Sequence, residues 1–225
     1  MPCCSHTRPR RIPLDPDIHR VALVLGVVTA VTFCLAIAWL WVPLLIVLLT
    51  LLMFFRDPPR RVPDRPGAVV SPADGKVVSI HTNEDPEAGP VGGPCVAIFL
   101  SVLNVHVNRA PYDGRVDLIQ HRPGLFLNAM NPESGRRNES NWVFMDCGPC
   151  KMTVRLIAGL IARRIVCRVE EGQQLRRGQR IGLIRFGSRA ELYLPPEAHL
   201  DVRVGDRVKG GESVIAHLPH EEAEA

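Results

Sequence analysis

Aromatic residues are scarce in this sequence, at 5% of its 225 residues. The basic residues form no long stripe in which aromatic side chains alternate with arginine or lysine, and the formal net charge is only +4. Such a stripe is the usual footprint of a nucleic-acid-binding surface. The composition therefore predicts that the protein has no nucleic-acid partner.

The cysteines also lack an organised pattern. There are seven of them, widely spaced, and an odd number cannot all pair in a disulfide framework. No second pair of cysteines or histidines stands at the spacing of a zinc site, so we expect no metal. Cys147-Gly-Pro-Cys150 has the spacing of a thioredoxin-type redox motif, whose reactive cysteine begins a helix. Strand-like runs on both sides favour a hairpin turn instead, with a membrane-tethered thiol oxidoreductase as the alternative.

Charged residues are absent from Val21 to Phe55, a run of 35 residues. One helix of that length would measure about 52 Å, whereas a hydrocarbon core is about 30 Å thick. The middle reads Trp39-Leu-Trp-Val-Pro43, with residues typical of a membrane interface and of a first helical turn. Arginines flank both ends, which favours cytoplasmic ends. The sequence predicts a membrane helical hairpin, with one tilted span as the alternative.

The rest of the chain reads as mainly β. Short runs rich in Val, Ile and Leu are separated by Gly, Pro, Asn and Asp, as in strands joined by turns. One stretch, 156–165, has a length that would suit a helix. The expected segments are a basic tail over 1–20, the membrane segment over 21–55, a Pro-rich linker over 56–66 and a folded domain over 67–225. The predicted strands are 68–71, 75–81, 95–101, 114–120, 141–145 and 151–157.

An internal repeat supports a closed β structure near the C-terminus. Segments 169–181 and 202–214 share glycines at the same spacing and matching apolar positions. The repeated hairpin resembles those of barrel-sandwich domains that carry lipoyl or biotinyl groups, so the expected fold is a small barrel-sandwich-like domain with hybrid-motif hairpins. No lysine stands in a Met-Lys-type motif at a hairpin tip, which disfavours a swinging-arm carrier. A membrane-anchored binding or carrier protein of this fold remains an alternative function.

Gly187-Ser188 lies between two strand-like runs, where it is either a turn or a site of chemistry. A glycine carbonyl is open to approach because glycine has no Cβ. The serine hydroxyl can attack that carbonyl if a base activates it, which converts the amide to an ester. Loss of the Ser Cα proton then expels the ester, and the dehydroalanine that forms hydrolyses to a pyruvoyl group.

Five motifs occur together in the order expected of one family. They resemble those of the short bacterial and archaeal phosphatidylserine decarboxylases, and the resemblance covers roughly Phe54 to Leu218. The motifs are Phe54-Phe-Arg-Asp-Pro58, Ser71-Pro-Ala-Asp-Gly75, Leu100-Ser-Val-Leu-Asn-Val-His-Val-Asn-Arg-Ala-Pro111, Ile157-Ala-Gly-Leu-Ile-Ala-Arg-Arg-Ile165 and Phe186-Gly-Ser-Arg189.

The resemblance implies a proenzyme that cuts itself between Gly187 and Ser188. The β chain, 1–187, and the α chain, 188–225, then stay together as a heterodimer. Ser188 becomes a covalent pyruvoyl cofactor, and no metal is needed. The mature enzyme decarboxylates phosphatidylserine to phosphatidylethanolamine and CO₂ through a Schiff base. The implied location is the cytoplasmic face of the cell membrane, with an archaeal ether-lipid serine as an alternative substrate.

The resemblance also assigns roles to residues of the self-cleavage site. Asp74 matches an aspartate that acts with the serine, although a turn before Gly75 would also favour Asp. His106 matches a histidine assigned to substrate handling and protonation. Arg109 stands where longer members have a second histidine, the usual cleavage base, and arginine is too basic for that task at neutral pH. The base is then either His106 or another group such as Asp74.

Three arginines are candidate ligands for the lipid phosphate, because a guanidinium group matches the geometry of phosphate oxygens. They are Arg109, Arg163 and Arg164. Arg163 and Arg164 are equally typical of a solvated or membrane-facing pair. Among the remaining histidines, only His121 is retained as a possible neighbour of the site.

Overall fold

The computed structural model describes residues 18–35, 37–128, 130–131, 133–148, 150–160, 165–184 and 188–219. The chain divides into two units, Met1–Pro59 and Arg60–Ala225. The first is helical and the second is mainly β.

The described part of the first unit contains two consecutive helices, α1 (His19–Cys34) and α2 (Ala38–Phe54). The rings of Phe33 and Trp41 meet edge to face, with centroids 5.2 Å apart. Pro43 lies inside α2 rather than in its first turn, because the helix begins at Ala38. Among the described residues, no helix combines the length and the apolar character required to cross a bilayer. The insertion of this helix pair into a membrane stays a prediction.

The described part of the second unit contains fourteen strands and one short helix, α3 (Ser134–Arg137). The strands are β1 (Ala68–Val70), β2 (Gly75–Thr82), β3 (Pro94–Leu100), β4 (Val107–Arg109), β5 (Gly114–Arg122), β6 (Ser140–Asp146), β7 (Lys151–Ile157), β8 (Ile165–Cys167), β9 (Gln174–Leu175), β10 (Arg180–Ile184), β11 (Ser188–Tyr193), β12 (His199–Leu200), β13 (Arg207–Val208) and β14 (Val214–His217).

All six predicted strands are confirmed, as β1, β2, β3, β5, β6 and β7. No described residue of 156–165 is helical, since β7 runs to Ile157 and β8 begins at Ile165. The hairpin turn predicted at Cys147 is also confirmed. β6 and β7 pair as far as Asp146 and Lys151, and the Cys147 amide donates to the Cys150 carbonyl over 2.9 Å.

The strands form one large antiparallel sheet and two small ones. The large sheet has the order β13-β2-β3-β11-β7-β6-β5-β9, and the small sheets have the orders β1-β14-β12 and β4-β10-β8. Apolar side chains at alternate positions of the large sheet bury in one cluster with residues of both small sheets. Each fully buried Leu or Ile side chain there contributes about 1.5–3 kcal/mol of hydrophobic stabilisation. The core therefore lies between the large sheet and the two small sheets.

The repeat seen at 169–181 and 202–214 is part of a larger duplication. Segment 71–80, SPADGKVVSI, corresponds to segment 110–119, APYDGRVDLI. The two copies exchange equivalent backbone hydrogen bonds, from Val70 N to Pro111 O and from Arg109 N to Pro72 O, both 2.9 Å long. We call them half one (68–82 with 202–217) and half two (107–122 with 169–184). Each small sheet contains an equivalent strand pair, β1 with β14 in half one and β4 with β10 in half two.

Candidate active site

Ser188 is the first residue of β11, a strand in the interior of the large sheet. It pairs with Leu100 of β3, and both residues are fully buried. Paired residues on antiparallel strands point to the same side, so Ser188 faces the core, as Leu100 does. Its Oγ has no hydrogen-bond partner among the described residues. Buried hydroxyls are nearly always bonded, so Ser188 is an exception within the described ranges.

Asp74 ends the turn before β2 and lies in a polar cluster. One terminal nitrogen of Arg60 is 2.9 and 2.8 Å from its two carboxylate oxygens, and the Gly210 amide donates to Oδ1 over 2.7 Å. The Arg60 and Asp74 side chains are 5% and 12% exposed, so water screens this ion pair little. Gly75 allows the close start of β2, because a Cβ there would lie 2.2 Å from the Phe99 carbonyl oxygen.

The duplication shows which contacts of Asp74 are common to both repeated turns and which occur at Asp74 alone. Asp113 is its equivalent in half two, and its Oδ1 accepts from the Arg177 amide over 3.0 Å, as Asp74 accepts from Gly210. The backbone contact is therefore a feature of the repeated turn. Within the described ranges, however, Asp113 forms no ion pair with an arginine, whereas Asp74 pairs with Arg60.

His106 lies directly before β4 and is completely buried. Its Nδ1 is 2.9 Å from the Asn104 carbonyl oxygen. Because a carbonyl only accepts, Nδ1 carries the proton in the neutral ring and Nε2 holds the basic lone pair. Asn104 is fixed in turn, since its Oδ1 accepts from the amide and the hydroxyl of Ser101.

Ser188, Asp74 and His106 belong to chain segments that meet at the end of β3. Phe99 pairs with Lys76 on one side and with Arg189 on the other. The starts of β2 and β11 are thus two strand spacings apart, about 10 Å. His106 follows β3 after one short loop, and its carbonyl accepts from the Ile184 amide, at the end of β10.

Arg109 is buried in β4, and one of its contacts is with the protein backbone. Its guanidinium donates to the Gly178 carbonyl oxygen over 2.9 Å. A Cβ on Gly211 would lie 2.9 Å from Arg109 Cδ, so the side chain packs between the two repeated hairpins. Its role as a phosphate ligand stays a prediction.

The first cysteine of the pair, Cys147, lacks the features of a redox nucleophile. Cys147 lies in a β-hairpin rather than at a helix start. A hydrogen bond with Cys150 and burial raise the pKa of the Cys147 thiol, while the same bond lowers the pKa of Cys150. A raised pKa reduces the thiolate fraction on which redox attack depends.

Known proteins resemble this chain over most of its length. A family model described as phosphatidylserine decarboxylase matches residues 48–216. A phosphatidylserine decarboxylase proenzyme of Nitrosomonas europaea is 46% identical over 183 residues, which are 80% of this chain and 84% of the relative. Proteins of the same name match at 48% over 172 residues in Oleidesulfovibrio alaskensis (76% and 78% of the two chains) and at 43% over 182 residues in Cupriavidus metallidurans (80% and 83%).

The chain belongs to the phosphatidylserine decarboxylase family. The family resemblance inferred from the five motifs is confirmed. No group of His, Cys, Asp and Glu able to hold a metal ion occurs in the part of the chain that the structure describes.

Several of the site residues predicted from the resemblance to phosphatidylserine decarboxylases lie outside the described ranges. These are Gly187, Arg163 and Arg164. His121 is exposed and lies 3.2 Å from a carboxylate oxygen of Glu139. Nothing in the sequence indicated Arg60 as the partner of Asp74, or Asn104 as the residue that orients His106.

Proposed function

We propose that this chain is a proenzyme that cleaves itself between Gly187 and Ser188 and then decarboxylates phosphatidylserine to phosphatidylethanolamine. The observation that carries the proposal is the hydroxyl of Ser188, which is buried and has no partner among the described residues, in a family whose members are named proenzymes.

Self-cleavage uses groups of the chain alone. Ser188 Oγ attacks the Gly187 carbonyl carbon, the C–N bond breaks and an ester forms. Removal of the Ser188 Cα proton expels the Gly187 carboxylate and leaves dehydroalanine. Water then replaces nitrogen at Cα, so ammonia leaves and a pyruvoyl group caps the α chain.

We assign the proton transfers to His106. Its Nε2 holds the lone pair because Nδ1 is bonded to Asn104, and a histidine is the commonest base at neutral pH. Arg109 lacks such a lone pair. Asp74, held by Arg60 and Gly210, places a fixed negative charge at the start of β2, which stabilises the imidazolium formed during proton transfer.

The site fits a pyruvoyl group. The group has no more atoms than the serine it replaces, and position 188 is fully buried, which shields a reactive ketone from water. When present, it supplies the electron sink that decarboxylation of an amino acid headgroup requires. His106 Nε2, once protonated, returns a proton to the substrate carbon that CO₂ has left.

The two chains are expected to stay associated after the cut. β11 begins at Ser188 and pairs along its length with β3 and β7, which belong to the β chain. β14 pairs with β1 in the same way. Separation would expose these strands and their core side chains.

We infer that the helix pair α1 and α2 holds the enzyme at the cytoplasmic face of the membrane. Many of its apolar side chains are exposed, among them Leu23, Trp39 and Ile46 at 69%, 80% and 59%. Apolar helices of this kind lie in the bilayer interface, where adjacent arginines contact anionic headgroups.

The test is the intact mass of purified protein, with a denaturing gel and an assay on phosphatidylserine vesicles. We expect two fragments of 187 and 38 residues (225 − 187 = 38), with the smaller one blocked at its N-terminus. Hydroxylamine or borohydride should inactivate the enzyme, since both react with a ketone. Fully active, uncleaved protein would refute the proposal.

A further inference from the structure

A second polar site lies on the far side of the large sheet from Ser188. Side chains alternate along a strand, so Arg189 and Glu191 of β11 face away from the core, while Ser188 faces it. A cavity of about 450 Å³ opens on this far face. It is therefore distinct from the site of self-cleavage.

The inner wall of the cavity carries an unbalanced positive charge. Arg155 and Arg189 pair with the same carboxylate, Glu191, at 3.3 and 2.8 Å, and the Tyr193 hydroxyl donates to it over 2.8 Å. These ionised side chains are only 11%, 11% and 4% exposed. Two buried guanidinium groups thus share one anion. A buried charge without a counterion is costly, so the arrangement favours a second anion.

The two arginines also keep unused donors. The Nε atoms of Arg155 and Arg189 are buried and have no acceptor among the described residues. Arg155 lies over the Trp142 ring, 4.2 Å from its centroid, and the peptide oxygen of Gly135 accepts from its Nη2. Stacking and bonding hold this guanidinium rigidly, so little side-chain entropy is lost when a ligand binds.

Two further arginines stand at the mouth of the cavity. Arg136 is exposed, and Arg122 lies over Trp142 at 4.9 Å from the ring centroid. The rim also carries two exposed carboxylates, Glu84 and Asp85, and Arg122 pairs with exposed Glu87 at 3.3 Å, so the charge at the mouth is offset. Exposed charges are screened by water, so the buried excess at Arg155 and Arg189 dominates.

We propose that this cavity binds the phosphate group of a small phosphorylated molecule or of a lipid headgroup. Guanidinium groups recognise phosphate oxygens through paired N–H donors. The volume exceeds that of a bare phosphate ion, and Trp142 and Tyr193 provide aromatic walls for an attached organic group.

The fluorescence of Trp142 can report binding in this cavity. The chain has three tryptophans, and the other two, Trp39 and Trp41, lie in α2. In the full-length Trp39→Phe/Trp41→Phe protein, we expect a saturable change in fluorescence on titration with glycerol 3-phosphate. Inorganic phosphate and vesicles with or without phosphatidylglycerol are the other probes. A response to the soluble phosphates identifies a free metabolite, and a response only to the anionic vesicles identifies a headgroup.

Arg189→Gln removes one of the two buried guanidinium groups and leaves Arg155 as the partner of Glu191; it should weaken binding at least tenfold, with the thermal midpoint measured alongside. Arg122→Gln with Arg136→Gln at the mouth should weaken binding less. Arg115→Gln is the control, because Arg115 is an exposed arginine at the other end of β5 from Arg122. Binding should persist in an uncleaved Ser188→Ala protein, which separates this proposal from the proposed activity. No saturable response to any probe, or unchanged affinity in a folded Arg189→Gln protein, would overturn it.

Discussion

Half one and half two of the second unit share a backbone design but differ in chemistry. In both, an Asp-Gly turn starts a strand of the large sheet, and the Asp accepts a backbone N–H from the opposite hairpin. Buried Leu175 and Val208 occupy equivalent positions in those hairpins. Such matched contacts serve the fold, because they are also present in the turn of half two, where no reaction is expected.

The chemistry lies where the halves differ. His106 precedes β4 in half two, and the chain reaches Ser188 a few residues after β10 of the same half. Of the two equivalent aspartates, Arg60 contacts only Asp74, which belongs to half one. A duplicated frame thus supplies rigidity, and the residues assigned to the proposed reaction lie where its halves differ. Substitutions at equivalent positions test this division.

The largest effect is expected from Ser188→Ala, which removes the nucleophile. The chain should stay at full length, with no detectable decarboxylation, as judged by intact mass and activity on phosphatidylserine vesicles. Ser213→Ala in half one, which removes only a hydroxyl that accepts from the Lys209 amide, should leave both properties unchanged. A cleaved Ser188→Ala protein would contradict the assignment.

His106→Gln should lower the rate of self-cleavage by about 10²–10⁴-fold, the usual contribution of a positioned base. The appearance of the 38-residue fragment with time measures this rate. His121→Gln, at an exposed histidine, is the control. A normal rate of cleavage in the His106→Gln variant would mean that another group is the base.

Asp74→Asn and Asp113→Asn compare the halves directly. Both amides still accept the backbone N–H, but only the first change removes the carboxylate that pairs with Arg60. We expect cleavage to slow about 100-fold for Asp74→Asn and to stay at the wild-type rate for Asp113→Asn. Equal slowing in the two variants would mean that the turn, rather than the charge, matters.

Arg60→Gln should have a smaller effect, about tenfold on the cleavage rate, because the charge of Asp74 remains but is no longer held in place. Arg60→Lys should restore part of the rate, and so should added guanidinium ion with Arg60→Ala. A loss of thermal stability without a change in rate would assign Arg60 a purely structural role.

The smallest effect is expected from replacing both Cys147 and Cys150 by serine. The pair lies in the turn that joins β6 to β7, and its thiols take no part in the proposed chemistry. Activity should stay within about twofold and stability within about 1 kcal/mol. An inactive, folded variant would support the thiol oxidoreductase alternative.

The sequence predicted the strands well because their apolar residues recur between Gly, Pro and Asn breaks, as at 75–81 and 151–157. It did not identify β8, which has three residues, since so short a run shows no periodicity. It identified the C-terminal repeat from its glycines but not the matching copies at 71–80 and 110–119, where only the Pro and Asp-Gly positions are distinctive.

For the site, motif order was enough to select Ser188, Asp74 and His106. Their contacts could not be predicted, because Arg60 lies in the linker 14 residues before Asp74 and Gly210 lies 136 residues after it. Likewise, Arg189 and Glu191 look like surface charges in the sequence. Only the sheet reveals that they are buried with Arg155.

The position of β11 has a consequence for the life of the mature protein. Its first residue sits in the interior of the sheet with a neighbouring strand on each side, so the proposed cut would leave a new chain end woven into the middle of the fold. The precursor folds as a single chain, whereas the cut product would have to refold from two separate chains. Refolding after denaturation would therefore be inefficient and would depend on protein concentration, so that each molecule would fold readily only before it is cut.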